Sequence, residues 1–449
     1  MRSKLVLSRF PLLLAALFSA APSYSADLLQ VYREALVNDA QYAAARATAE
    51  AGREKAPQGL SGLLPTVGAT ANSTWNQNSY TFRPPSQEPQ YINRNFNSNG
   101  FSVNLTQPLF RWQNFVQYGQ AKLQVVQSEA VLAQAFQDLI VRVAQAYFDV
   151  LNAQENLTAV RANKQAIAQQ LEQAKKNFEV GTATITDTHE AQSRFDLASA
   201  QEIAGESDLE VKRYALRVIV GKESGELHRL KPQAVINPPQ PAAMQKWVDA
   251  AQKDSFIVQS QEAAAEVASK EVERMRAGHY PTLDVVANYG QTTSILSAVT
   301  AGTLESTPRN VGLQVSIPIY QGGYVNSKTR EAVANRSAAD AALDSAKRTS
   351  ALNAQQSYLG VVNGLAQVRA LEAALVSSAS ALESNKLGYE VGIRINIDVL
   401  NAENQVYTTR RDLAKARFDT LLSQLKLKAA VGALSEADLE QINPLFQAP

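Results

Sequence analysis

Within ten residues of the second half of the chain stand a phenol, a guanidinium and a carboxylate: Tyr389, Arg394 and Asp398. Such groups form charge-assisted hydrogen bonds and salt links that join neighbouring elements, more strongly where water is excluded. A solvated loop carrying incidental charges is the alternative reading of the same residues. Catalysis is not served by what surrounds them. The chain has no cysteine, and its histidines, His189, His228 and His279, match no ligand or triad spacing. There is no phosphate-binding glycine loop between a strand and a helix, and no nucleophile elbow. Gly322-Gly323 reads instead as the joint between a strand and a helix. No enzyme, cofactor or metal site is expected.

An earlier version of the cluster lies about 211 residues upstream. Phe178-Glu179-Val180-Gly181, with Asp187 and Ala191 downstream, returns as Tyr389-Glu390-Val391-Gly392, with Asp398 and Ala402. In the same register Tyr147 falls on Tyr358 and Val220-Gly221 on Val431-Gly432; earlier in each copy, at a slightly longer offset, Pro65-Thr66 has its counterpart in Pro281-Thr282. A repeat of this length is no short-period solenoid and implies two copies of one unit. The copies share glycine and aspartate but differ in a directed way. Phe178 becomes Tyr389, gaining a hydroxyl, and Ala183 becomes Arg394, gaining a charge.

The elements that position these residues follow from proline placement. No proline occurs between Pro108 and Pro232 or between Pro318 and Pro444. A helix interior rejects proline at about 3 kcal/mol, so each tract is a candidate for a very long helix. In the first, Leu132, Phe136, Leu139, Val143, Ala146, Val150, Ala153, Leu157, Val160, Ile167, Leu171, Ala174 and Phe178 keep the 3.5-residue period of a coiled coil, interrupted only at Lys164. Gly181 and Gly392 suit helix C-terminal positions, and Asp187 and Asp398 suit the first turn of a returning helix. The spacing predicts helical hairpins over 113–180 and 187–221, and again over 324–391 and 398–431. The outgoing helices would run about 100 Å. Opening helices, near 27–57 and 245–278, would stack on the shorter return helices and make up their length.

Between opening helix and hairpin the period changes to two. Phe101, Val103, Leu105 and Gln107 alternate with polar or small residues, as do Leu313, Val315, Ile317 and Ile319; Thr66–Trp75 and Thr282–Gln291 supply the partner strands. Each pair brackets a polar loop, one containing Pro84, Pro85 and Pro89, the other running near 292–309. Strands of about ten residues can cross a bilayer when tilted. Four strands cannot close a barrel, and open edges do not survive in lipid, so spanning strands would require several chains. Trp75, Tyr80, Tyr91, Phe96, Phe101, Phe110 and Trp112 are candidates for an interfacial aromatic belt. A soluble α+β protein with two small hairpins is the alternative.

Residues 1–25 read as a signal peptide, with Arg2, Lys4 and Arg9 before the apolar Phe10–Ala21 and small residues at Ser23 and Ser25. The chain has 43 basic and 42 acidic residues, so loss of this segment leaves it slightly acidic, which gives no footprint for nucleic acid. No later stretch of 18 apolar residues is evident, so no transmembrane helix is expected. The divisions are 1–25, a first repeat over 26–232 and a second over 233–449.

Pro318-Ile319-Tyr320-Gln321-Gly322-Gly323, Tyr389-Glu390-Val391-Gly392-Ile393-Arg394, Asp398-Val399-Leu400 and Leu434-Ser435-Glu436-Ala437-Asp438-Leu439 resemble the TolC-type outer-membrane channel-tunnels, and so do Asp27-Leu28-Leu29-Gln30-Val31-Tyr32 and Ile185-Thr186-Asp187. The resemblance covers nearly all of the chain beyond the leader, duplication included. It implies an α+β membrane protein acting as a homotrimer, with one twelve-stranded β-barrel in outer-membrane lipid and a tunnel of twelve helices in the periplasm. It implies a passive exit duct for drug efflux, type I protein secretion or both. The duct would be driven by an inner-membrane pump or ABC exporter through a periplasmic adaptor (membrane fusion) protein that docks at the tips around Gly181 and Gly392. By position, Asp187, Tyr389 and Arg394 match the family's periplasmic gate and Asp398 its constriction ring. One position departs: where the family's best-known member has a second ring aspartate, this chain has Asn401. Three chains would then present three carboxylates rather than six, and weaker block by multivalent cations is expected. The rival reading is a soluble periplasmic coiled-coil scaffold or adaptor without a pore. A diffusion porin is disfavoured, because porins devote most of their length to strands.

Overall fold

The computed structural model describes residues 26–295 and 302–448, so the leader and part of the second polar loop lie outside the described residues. Long helices dominate. After α1 (Leu28–Asn38), α2 (Ala40–Arg53) and α3 (Lys55–Ser61) come strands β1 (Thr66–Phe82) and β2 (Gln90–Phe110). The first hairpin is α4 (Trp112–Glu179) with α5 (Ile185–Val220), followed by a short β3 (Arg229–Leu230). The second repeat gives α6 (Met244–Asp254), α7 (Phe256–Arg276), β4 (Thr282–Ile295), β5 (Thr303–Ser306) and β6 (Arg309–Ser316), then α8 (Tyr324–Glu390) and α9 (Asn396–Ala430). A terminal α10 (Glu436–Ile442) and β7 (Phe446–Gln447) close the chain, with β7 pairing on β3.

The outgoing helices have 68 and 67 residues, so each runs about 100 Å. Their ends fall within two residues of those read from the sequence. Most of the α4 heptad is buried, from Leu139 through Leu157 and again at Ile167, Leu171 and Ala174. Phe178 is a departure, exposed at the hairpin end.

The opening helices are not continuous, as the sequence had suggested. Asp39 ends α1 and caps α2, its carboxylate accepting from the Tyr42 amide at 2.6 Å. Such a cap offers the backbone a better partner than helix continuation does. Pro57 lies in the first turn of α3, where its missing N–H costs nothing. The second opening helix breaks at Ser255. The stacking of opening on return helices is present in both repeats: Gly221 at the end of α5 meets Asn38, and Gly432 beyond α9 meets Asp254.

The larger of two antiparallel sheets joins the repeats in the order β1-β2-β4, with β5 and β6 both on β4. The strands outrun their expected lengths; β1 and β2 have 17 and 21 residues. The last arm is shorter than expected and interrupted at Pro308, which has no N–H for the ladder. The break is local, because Gly290 N–H still donates to the Pro308 carbonyl at 3.1 Å and the register continues through it. The arm ends at Ser316, short of Pro318 and of the expected Ile319.

Register gives the sheet two unlike faces. Val67 pairs with Leu105, Ala69 with Val103, Ala71 with Phe101, Leu105 with Ala287 and Ala287 with Val311, all on one side. The other side carries Thr70, Ser102, Asn104 and Asn288. There the Thr70 and Ser102 hydroxyls lie 2.9 Å apart, and the Asn288 amide donates to Asn104 at 2.6 Å. The apolar side is exposed in the single chain, with Val311 at 83% and Trp75 at 74%.

The main core lies at the middle of the molecule, where both hairpins meet the chain ends. Tyr147, Phe148, Phe418 and Phe446 pack there with Leu28, Tyr32, Leu139 and Leu425. The Tyr147 hydroxyl donates to the His228 carbonyl at 3.0 Å, and its counterpart Tyr358 donates to the Ala242 carbonyl. Arg142 forks onto buried Asp39, both contacts 3.0 Å. Among the described residues, one segment within α8 is long and apolar enough, by length and composition alone, to cross a membrane, and 11% of it is buried in the single chain.

Candidate functional site

Both hairpins turn through the same backbone. Gly181 and Gly392 have φ of 80° and 77°, the left-handed region that glycine enters without strain. In the first turn the amides of Thr182 and Ala183 donate to the Asn177 carbonyl at 2.8 and 3.2 Å. In the second, Ile393 and Arg394 donate to the Gly388 carbonyl at 2.8 and 3.0 Å. Nothing lies within 4 Å of the position a Cβ would take at either glycine.

The side chains around this shared turn differ. Thr182, Thr184 and Thr186 in the first tip become Ile393, Ile395 and Ile397 in the second. The change decides what each aspartate does. Thr184 caps α5 in a reciprocal box: Asp187 accepts from the Thr184 amide at 2.9 Å and from its hydroxyl at 2.7 Å, while the Asp187 amide donates back at 3.3 Å. Ile395 has no hydroxyl, so α9 begins without a side-chain cap. Asp398 is left to face Arg394, with 3.7 Å between Oδ2 and Nη1.

The residues singled out from sequence are therefore only partly brought together. Asp187 is held by its own turn and touches neither Tyr389 nor Arg394 within the chain. Arg394 stays inside its own tip. Tyr389 does reach the other hairpin, where its hydroxyl accepts from the Asn177 side chain of α4 at 3.2 Å. Asn401 does not stand free; it accepts from Arg194 of α5 at 2.9 Å. These two bonds link the hairpins near their tips, and each uses a residue that sequence reading missed. Asn177 and Arg194 carry no periodic signal, whereas the Thr184–Asp187 box was readable as threonine followed three residues later by an acid.

The seam behind the tips is poorly satisfied. Asn163, Gln170 and Thr188 on the first hairpin and Asn396 and Glu403 on the second each bury a polar oxygen without a partner. Unpaired buried groups cost about 1–3 kcal/mol each, so this seam carries a local penalty. At the same level α4 and α9 pack together, with Ile167 and Leu400 in one small apolar cluster.

A two-faced sheet on tandem helical hairpins of this length, with polar ties at the hairpin ends, is the architecture expected of an outer-membrane channel with a helical extension. Comparison with known proteins gives the same class. The chain belongs to the outer membrane efflux protein family, whose model matches residues 31–222 and 247–433. It is 33% identical to outer membrane protein TolC of Vibrio cholerae over 96% of this chain and 97% of that one. It is 31% identical to the alkaline protease secretion protein AprF of Pseudomonas aeruginosa, covering 94% and 88% of the two. The fold superposes on the Campylobacter jejuni CmeC outer membrane channel with a TM-score of 0.76 at 18% identity, over 93% of this chain and 89% of that one.

Proposed function

We propose that three copies of this chain form one passive exit duct, with a twelve-stranded barrel in the outer membrane and twelve long helices in the periplasm. One observation carries the reading. The α4–α9 seam joins the outgoing helix of the first repeat to the return helix of the second, and the duplication demands a counterpart between α8 and α5. Among the described residues of the single chain, α8 and α5 form no such seam. On α5, Leu197, Val211, Tyr214 and Val218 are exposed, and on α8, Leu352, Leu359, Val362 and Val376. Both sets keep coiled-coil spacing. A second copy covers each stripe, including the apolar segment of α8, and joins the open edges of β1 and β6, which lipid would not tolerate unpaired. The apolar side of the sheet then faces lipid and the Asn- and Thr-rich side the lumen.

The tips form the periplasmic gate, with Tyr389, Arg394 and Asp187 as its polar groups and Asp398 with Asn401 at the constriction. In the ring, Arg394 and Asp187 of adjacent copies come within reach of one another. A periplasmic adaptor docks around Gly181 and Gly392, where the backbone is uncovered and Ile393 is 81% exposed. An inner-membrane pump or ABC exporter supplies the energy, and the cargo is drugs, secreted protein or both. The working units are the leader 1–25 and the repeats 26–232 and 233–449, a division supported by the two separate family matches. Reconstitution into planar bilayers tests this reading. Trimers should give discrete conductance steps; a stable monomer without conductance would contradict it.

A further inference from the structure

The second ring acid that the resemblance leads one to expect is replaced by Asn401, but an acid does stand two residues on. Glu403 is rotated about 200° around α9 from Asn401. It occupies the buried stripe that runs through Val399, Val406 and Leu413, and it is 4% exposed. One carboxylate oxygen lies 3.5 Å from the Lys386 ammonium of α8, and the other is buried without a partner. A charge in an apolar heptad position is costly, and here its pairing is incomplete.

Among the described residues, Lys386 is the one counter-charge within ion-pair distance of Glu403. From α8, Lys386 is the group within ion-pair distance. On α9 itself, Tyr407 lies one turn on, with Arg410 beside it. From α4, Lys164 stands at the same level, since Asn163 and Asn404 line one cavity, but its ammonium is committed to Glu202 of α5 at 2.8 Å. Burial pushes the Glu403 carboxyl up from the usual range, only partly offset by Lys386.

We propose that Glu403 is a positioning residue of the second tip: its neutral carboxyl keeps α9 packed against α8, and its ionisation favours a splayed tip in which the carboxylate reaches water. The inference rests on the tips being the gate. By linkage, a proton that binds better to the packed form shifts the population toward that form by the same factor. The groups that tie the hairpins are close by: Tyr389 follows Lys386 by one turn of α8, and Asn401 precedes Glu403 by two residues. A splayed α8–α9 tip misplaces both, and the bonds to Asn177 and Arg194 are lost with it.

The test is conductance of reconstituted wild-type, Glu403→Gln, Glu403→Leu and Lys386→Met channels against pH on the tip side, from about 4.5 to 8.5, a window above the ordinary glutamate value of about 4.3. The wild type should pass from low to severalfold higher conductance through one transition as pH rises. Both Glu403 variants should stay at the low, acid level throughout. Lys386→Met should move the transition upward by about one pH unit, because the charge favouring ionisation is gone. A wild-type pH profile retained in Glu403→Gln, or a downward shift in Lys386→Met, overturns the proposal. A flat wild-type profile also overturns it while leaving the channel reading intact; no channel at all defeats the reading on which it rests.

Discussion

Phe148 of α4 stacks on Phe418 of α9, ring centroids 5.7 Å apart and planes 25° from parallel. Each belongs to a different repeat, so this contact is one member of a pair that the duplication requires. Its counterparts in the repeat register are Leu359 on α8 and Ser207 on α5, which cannot meet within one chain. In the proposed trimer, that is the position where a neighbouring copy would supply the contact.

Cysteines at Leu359 and Ser207 should form disulfides between neighbouring copies. Mild oxidation of the double variant is expected to give a three-chain species on non-reducing gels, and each single variant should give none. A ladder continuing past three chains, or no cross-link in protein that still inserts in the outer membrane, would count against the trimer.

Burial pushes the Asp39 carboxyl up, but the Arg142 fork and the Tyr42 and Gln41 amides outweigh it and hold it below its ordinary value. The stability it confers is thus present above the unfolded pKa of about 3.9 and lost as pH falls through the lower folded value. Arg142→Ala leaves a buried carboxylate unpaired and should cost about 3 kcal/mol at neutral pH. Thermal melts at pH 7 and pH 3 check both statements: the gap between wild type and Arg142→Ala should narrow in acid.

Asn401→Asp places a carboxylate against Arg194, which would neutralise most of the added charge. Block by multivalent cations should therefore change less than about twofold in that variant and severalfold when Arg194→Ala is added. Strong block from Asn401→Asp alone would mean that Arg194 does not hold residue 401 in the assembled channel.

Gly181 and Gly392 can accept a side chain without an internal clash, at a backbone cost of about 1 kcal/mol. Gly392→Phe should accumulate as normal trimer and conduct normally in bilayers, yet lose transport and adaptor cross-linking in cells. Normal transport would remove that tip from the docking surface.

Much of this architecture was legible because it depends on period and exclusion. The proline-free tracts, the heptad through Leu139 and Leu157, and the paired Gly181 and Gly392 turns set the helix ends to within two residues. Local competition was harder to read. Asp39 and Ser255 interrupt the opening helices because capping at Asp39 and packing at Ser255 override helical propensity, and β5 with the start of β6 extends the last arm into residues read as polar loop. At the tips the residue types were visible but their partners were not. Asp187 is absorbed by Thr184, and Asn177 and Arg194 are chosen by the juxtaposition of helices more than 200 residues apart. Glu403 was detectable in principle, as a charge in an otherwise apolar stripe.

The gate is the central claim, and single-channel conductance tests it most directly. The Asn177–Tyr389 bond is worth roughly 0.5–1.5 kcal/mol and an exposed Arg394 link about 0.3–1 kcal/mol. Repeated in three copies that open together, their loss amounts to about 3 kcal/mol or more, on the order of a hundredfold in the open population. Purified wild-type channel in a planar bilayer should show small, rare openings, and the Tyr389→Phe/Arg394→Ser double variant large, sustained ones. Equal conductance and open probability in the two proteins would contradict a gate at the hairpin tips.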